Sequence, residues 1–399
     1  MIDSSAINRR DFLKASCGAV ASMSLPTISR AKEKGIPLRL GYLPITDATP
    51  LLIAYENKFF QDEGLQVSKP IKIRQWSTLT ESFLTHKFNL THMLFPIPVW
   101  MRFNRNFPVK VLAWNHMNGS AITVHASSGI NSFADLGGCQ IAVPYWYSMH
   151  NIILQMGLRH VGLKPVIQPY KTPLKPKEVN LFILPPPEMP SAMVARKIDG
   201  YIVAEPFNAI AEMRIGAKIL RFTGDIWKNH PCCVAVMNEN IIKSNPVFTQ
   251  KVVNALVNAQ QWITLNPSQT AKILSKDGAG YLPVSEKILN RVFTGYEPTR
   301  YAKGNTPEAI KHPDWQISRI GFQPYPYPSA TRLIIDQMRQ TKMEGNVSFL
   351  KDIQVDKAVQ SLVDDSFARN AIKNVGGLKQ FGHPINMTNP FQREEIVAL

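Results

Sequence analysis

The chain has 399 residues, 45% hydrophobic and 19% charged, a balance typical of soluble globular proteins and a length that calls for more than one core. Its formal net charge of +16 favours anionic partners such as small anions, nucleic acid or membrane surfaces. No dense Lys/Arg block with interleaved aromatics occurs, so the usual nucleic-acid footprint is missing.

At the start, Asn8-Arg9-Arg10-Asp11-Phe12-Leu13-Lys14 resembles the twin-arginine export motif. A weakly apolar run, Ala15 to Leu25, follows and is too short to span a bilayer. Ser29-Arg30-Ala31 is a small-residue cleavage site, so residues 1–31 read as a signal peptide for a periplasmic protein. Cys17 has no lipobox before it. After cleavage Cys139, Cys232 and Cys233 remain, an odd number with neither a CxxC nor a Cys/His metal spacing. Cys232-Cys233 is either a strained vicinal disulfide or a pair of reduced thiols.

Ile36–Leu43 is the first expected strand. Asp47 or Thr49 is placed to cap the next helix, with Pro50 in its first turn and Gly64 closing the element. Val67–Gln75 reads as a strand, and Thr78-x-x-Glu81 as a capping box opening a helix beyond Trp76. Thr91–Phe95, Val109–Trp114 and Ala121–Val124 are further strands. The βα rhythm restarts with Gln140–Val143, an aromatic loop to Ser148 and a helix carrying His150 to about Gly162. Val179–Leu184 runs into Pro185-Pro186-Pro187, and a helix spans roughly Ser191–Lys197.

The stretch Ile198–Asn208 organises the chain. Gly200–Val203 is apolar and β-branched at its end, and Glu205-Pro206 then stops the strand and opens a helix to about Arg214. Glu205 therefore either caps that helix or faces the carboxyl edge of the sheet, where open α/β sheets bind ligands. Lys218–Phe222 and Cys233–Met237 are strands. Beyond Asn238 the pattern is helical, with segments near Pro246–Leu265, Pro267–Ser275, Val284–Phe293 and Ser329–Gln340. The tail after Gly377 is polar, carries two prolines and is expected to pack poorly.

Six motifs in order carry a family resemblance: GYLPITDATPLLIAYENKFFQDEGL (41–65), RQWSTLTESF (74–83), THMLFPIP (91–98), NGSAIT (118–123), DGYIVAEPFNA (199–209) and TGDIWKNHP (223–231). Together they resemble the periplasmic nitrate- and bicarbonate-binding proteins of ABC importers. The resemblance implies an α/β, two-lobe type II periplasmic-binding-protein fold with a helical C-terminal extension. Lobe 1 would comprise 32–123 and 233–399, the latter including the C-terminal helices, and lobe 2 would comprise 124–232. It also implies a monomeric protein with no catalysis, no metal and no cofactor, whose partners are a small-molecule anion and an ABC permease, with no nucleic acid.

Carried over by position, Trp76 resembles the family tryptophan that faces the anion, and an indole N–H is a donor with no acceptor. His150 matches the family histidine, which presents an N–H or protonates to strengthen the contact. Pro186 and Val203 match wall positions, and Glu205 completes the expected set. Two positions depart from the family pattern: Ser120 stands where nitrate binders carry glutamine, and Cys232-Cys233 where they carry an acidic-basic pair. Bicarbonate binders are acidic at the position of Cys233, where the residue helps hold a cation. A larger or neutral ligand is therefore open. So are a pyrimidine-precursor or sulfonate binder or enzyme of the same fold, and a ligand sensor docking a regulator.

Overall fold

Short strands buried on both faces need helices to cover them, and this chain alternates the two from Leu40 to Asn238. The computed structural model describes residues 35–294, 296–302, 304–305, 307–382 and 388–399. The export motif around Arg9 and Arg10, Cys17 and the Ser29–Ala31 cleavage site lie outside the described residues. Residues 36–399 form one compact unit.

Two sheets organise that unit. The first contains β1 (Leu40–Tyr42), β2 (Ile71–Lys72), β3 (Leu90–Leu94), β4 (Val109–Trp114) and β12 (Cys233–Asn238), in the order β2-β1-β3-β12-β4. The second contains β6 (Ser120–Val124), β7 (Gln140–Val143), β8 (Lys164–Val166), β9 (Glu178–Ile183), β10 (Gly200–Ala204) and β11 (Lys218–Phe222), in the order β11-β6-β10-β7-β9-β8. A small ribbon pairs β5 (Met117–Asn118) with β13 (Ile320–Gly321).

The chain leaves the first sheet after β4, enters the second as β6, and returns from β11 to the first as β12. Both entering strands run antiparallel to their neighbours, β6 against β10 and β11, and β12 against β3 and β4. The two passages run side by side: Asn118 N–H donates to His230 O at 3.0 Å, and Met117 bridges Pro231.

Proline at the first helical position starts the helices Pro246–Leu265, Pro267–Leu274 and Pro328–Gln340, since its fixed φ suits that turn and its missing N–H costs nothing there. Several expectations need correction. The strand expected over Val67–Gln75 is confined to Ile71–Lys72, with an isolated bridge from Val67 to Leu38 before it. Trp76 itself begins the helix Trp76–Leu84, so Thr78 lies within the helix and caps nothing. Asp47 does not cap the helix Thr49–Glu56; its carboxylate turns inward. After Pro206 the helix is a single α-turn, Phe207–Ile210, then a π-helical turn, Ala211–Ile215, closed by Gly216 at φ +69°. The end of the chain is packed: Glu395 accepts from the Trp227 indole and the Ser329 hydroxyl, each at 2.7 Å, and Ala398 N–H donates to Ile226 O.

Candidate functional site

The carboxyl ends of β1 and β10 face each other. The loop after β1 carries Thr46, whose N–H and hydroxyl both donate to Glu205 O at 3.0 Å. Gly119 fits between the passages because its backbone holds φ +74°, and a Cβ there would lie 3.0 Å from His116 Nδ1. Its N–H donates to Arg319 O and its carbonyl accepts from Glu205 N–H, both at 2.8 Å.

From this junction a file of buried polar side chains runs between the sheets. Asp47 Oδ2 lies 3.0 Å from His116 Nε2, and the Cys233 thiol donates to the same oxygen at 3.0 Å. Cys232 Sγ is 3.7 Å from Asp47 Oδ2 and 4.0 Å from Ser120 Oγ. Ser120 Oγ is hydrogen-bonded to His150 Nε2 at 2.9 Å. His150 is the second residue of the helix Met149–His160, capped by Ser148, whose hydroxyl accepts from Asn151 N–H at 3.0 Å. On the other flank, the Trp76 ring meets His92 edge-on with centroids 5.5 Å apart, and His92 Nε2 accepts from Leu43 N–H.

The file is sealed: Asp47, His92, His116, Cys232 and Cys233 are fully buried, while His150, Ser120 and Trp76 are nearly so. Burial alone would lower His116, but the Asp47 carboxylate beside it overrides burial and holds the imidazole near 10. His92 and His150 have no such close carboxylate, and burial pushes each down to about 4. Of the two roles expected for His150, burial favours the neutral imidazole that presents an N–H. The Cys233 thiol is pushed well up, by burial first and then by Cys232 and Asp47, so it is not poised as a nucleophile.

Several polar atoms in this file have no protein partner: Asp47 Oδ1, His92 Nδ1, Asn115 Oδ1, both ring nitrogens of His116 and His150 Nδ1. The Asp47–His116 approach is close enough for charge attraction but out of line for a hydrogen bond. Buried polar atoms are normally satisfied, so a cluster of exceptions marks a place built for something other than the protein itself.

Of the residues expected at the site, Ser120 and His150 touch, and Trp76 flanks the file through His92. Cys233 faces Asp47. Pro186 is buried in a 3-10 turn, and Val203 pairs with Ala121 inside the second sheet. Glu205 caps its helix by accepting from Ala209 N–H at 3.0 Å, and its other oxygen is held by Arg319 at 2.7 Å. Asp47, His92, His116 and Arg319 escaped sequence reasoning because no local spacing links them. Among the described residues Cys139, Cys232 and Cys233 are free thiols, so no vicinal disulfide is formed in this structure.

The family model described as NMT1-like matches residues 31–276. The nitrate/nitrite binding protein NrtA of Nostoc sp. strain PCC 7120 is 28% identical over 278 residues, 64% of this chain and 60% of that protein, so the match spans under two thirds of the relative's length. Among solved structures, the periplasmic nitrate-binding protein NrtA from Synechocystis PCC 6803 superposes with a TM-score of 0.69 at 19% identity, covering 86% of this chain and 90% of that one. The alkanesulfonate-binding protein SsuA from Xanthomonas axonopodis pv. citri gives a TM-score of 0.59 at 13% identity, over 83% and 98% of the two chains. The fold is thus that of the periplasmic binding proteins, with two α/β lobes, each built on one of the sheets.

Proposed function

The chain belongs to the NMT1-like family, and from that membership we propose that it is the exported solute-binding component of an ABC importer, taking a small oxyanion of the nitrate, nitrite or bicarbonate type between its lobes. The observation that carries the reading is the buried file of unpartnered polar atoms between the sheets, flanked by Trp76 and ended by His150. Neutral His92 and His150 and the Trp76 indole offer N–H donors, and the one charged imidazole, His116, is already balanced by Asp47, so an oxyanion there is selected by size and donor geometry. Ser120 and His150 belong to the second sheet and the helix beside it, while His92 belongs to the first sheet and Trp76 to the helix Trp76–Leu84 beside it, so a shared ligand holds the lobes closed. Among the described residues no helix is long and apolar enough to cross a membrane, and the permease is a separate partner in this reading.

A thermal-shift series with nitrate, nitrite, bicarbonate and alkanesulfonates tests the proposal, since a ligand that binds only the native state raises its melting temperature. We expect a concentration-dependent rise with one oxyanion class; no rise with any of them overturns it. Twin-arginine export is part of the same proposal, and replacing Arg9 and Arg10 by lysine is expected to leave the protein in the cytoplasm.

A further inference from the structure

We propose that Asp47, His116, Cys232 and Cys233 form a binding site for one zinc-class divalent ion, at the point where the chain passes twice between the sheets. One donor atom from each of the four side chains can be chosen so that all lie within 4.8 Å of one another, and all four residues are fully buried. A tetrahedral ion with bonds of about 2.0 Å to nitrogen or oxygen and about 2.3 Å to sulfur sets its ligands roughly 3.3–3.8 Å apart. The separations of 3.0 Å for Asp47–His116, 3.0 Å for Asp47–Cys233 and 3.7 Å for Asp47–Cys232 are close to those edges.

A second observation points the same way. Both ring nitrogens of His116 and Asp47 Oδ1 are buried without hydrogen bonds, whereas the backbone of the two passages is paired, Asn118 N–H with His230 O and Cys232 N–H with His116 O. An imidazole that makes no hydrogen bond at either nitrogen, and meets only an out-of-line carboxylate at Nε2, is badly placed as a structural residue and well placed as a ligand. Two sulfurs, one imidazole and one carboxylate suit a borderline-soft ion, whereas calcium or magnesium would seek six or more oxygens.

The ligands tie three separate pieces of chain: the loop after β1, the passage after β4 and the start of β12. Binding releases the two thiol protons, and any proton on the coordinating imidazole nitrogen, to solvent as the metal–ligand bonds form, with no change of oxidation state. The ion then pins both passages between the sheets to the first sheet. The site stands whether or not the solute is an oxyanion.

The test uses the full chain, free of any affinity tag, reduced and stripped with a chelator, then titrated with cobalt(II). We expect saturation at one equivalent, with a thiolate-to-cobalt charge-transfer band and the visible absorption of a tetrahedral ion, both removed by added zinc. Zinc should also raise the melting temperature of the stripped protein. Cys139→Ser, which touches none of the ligands, should behave as wild type, whereas Cys232→Ser with Cys233→Ser should lose the band and the zinc response. Reduced wild-type protein that gives no charge-transfer band overturns the proposal without any reliance on a variant that folds. So does a double variant that folds, shown by its circular dichroism, and binds zinc as tightly as wild type. Oxyanion-induced stabilisation measured on the stripped protein separates failure of this site from failure of the solute reading.

Discussion

Two clusters of buried charge meet at Gly119 and are finished in opposite ways. On one side Arg319 donates through Nε to Glu205 at 2.8 Å and through Nη2 to Glu212 at 2.7 Å, while its guanidinium lies over the Phe222 ring. Both Glu205 oxygens are occupied, one by Arg319 and one by Ala209 N–H. Burial pushes the Glu205 carboxyl up while Arg319 pulls it back. The guanidinium is held charged by its two carboxylates against the opposing push of burial, so the geometry supports an ion pair. On the other side Asp47, His116 and the cysteines are just as buried, yet Asp47 Oδ1 and both His116 nitrogens are left without partners. A closed network holds parts of the fold together; an open one of equal burial is a receptor. Burial is alike in both, so partner completeness is what separates scaffold from site.

The largest effect should come from breaking the closed cluster. Arg319→Met removes the guanidinium that pairs with Glu205 and leaves a buried carboxylate uncompensated, which costs about 3–5 kcal/mol in chemical denaturation. Adding Glu205→Gln should recover part of that loss, because the stranded charge is then gone. If Arg319→Met is tolerated, the contrast drawn between the clusters collapses.

Next comes the ligand-facing edge. Trp76→Phe keeps ring packing against His92 and deletes the indole N–H, so affinity for the oxyanion should fall by about 1–3 kcal/mol, with little change in the apo melting temperature. Isothermal titration beside a thermal melt distinguishes the two. A lower apo melting temperature with unchanged affinity would make Trp76 a core residue only.

His150 gives a smaller effect with a defined pH sign. Its folded pKa, near 4 through burial, lies below the ordinary 6.5, despite the more distant pull of Asp47 and against the background of His116. Between those values the unfolded chain binds the proton and the native state does not, so stability falls as pH drops from about 6.5 toward 4. Near pH 5.5 that cost is about 1 kcal/mol. His150→Gln should therefore flatten the acid side of the stability curve, read as the urea midpoint against pH. An unchanged slope would mean that His150 is not held neutral.

How far the sequence reached follows the same division. Val109–Trp114, Gln140–Val143, Lys218–Phe222 and Pro246–Leu265 were legible to the residue, since buried apolar runs and N-terminal prolines are local signals. The Glu205-Pro206 junction was legible as a strand end and a cap. The open cluster was not: Asp47 sits in a T-D-A-T-P string that reads as a helix start, and His116 and Cys232-Cys233 carry no metal spacing. Only the side-by-side, antiparallel passage of 115–119 and 230–233 brings them together, and that is a property of topology. Arg319 lies in an aperiodic stretch, so its partners Glu205 and Glu212 could not be assigned from pattern. The polar tail was misjudged because its anchors, Trp227 and Ser329, are distant in sequence.

The smallest effect is the control on which the comparison turns. Arg332 Nε lies 2.6 Å from Asp356, closer than Arg319 comes to either of its carboxylates, but the two side chains are 50% and 73% exposed. If distance set the strength of an ion pair, Arg332→Ala would rival Arg319→Met. Water competes for both exposed groups, and fixing two long side chains costs entropy, so the pair should contribute less than about 1 kcal/mol and weaken further in salt. The denaturation midpoints of Arg332→Ala and Asp356→Ala should stay close to wild type at physiological ionic strength. A loss comparable to that of Arg319→Met would show that burial is not what gives the closed cluster its strength, and would remove the ground for treating partner completeness at equal burial as the mark of a site.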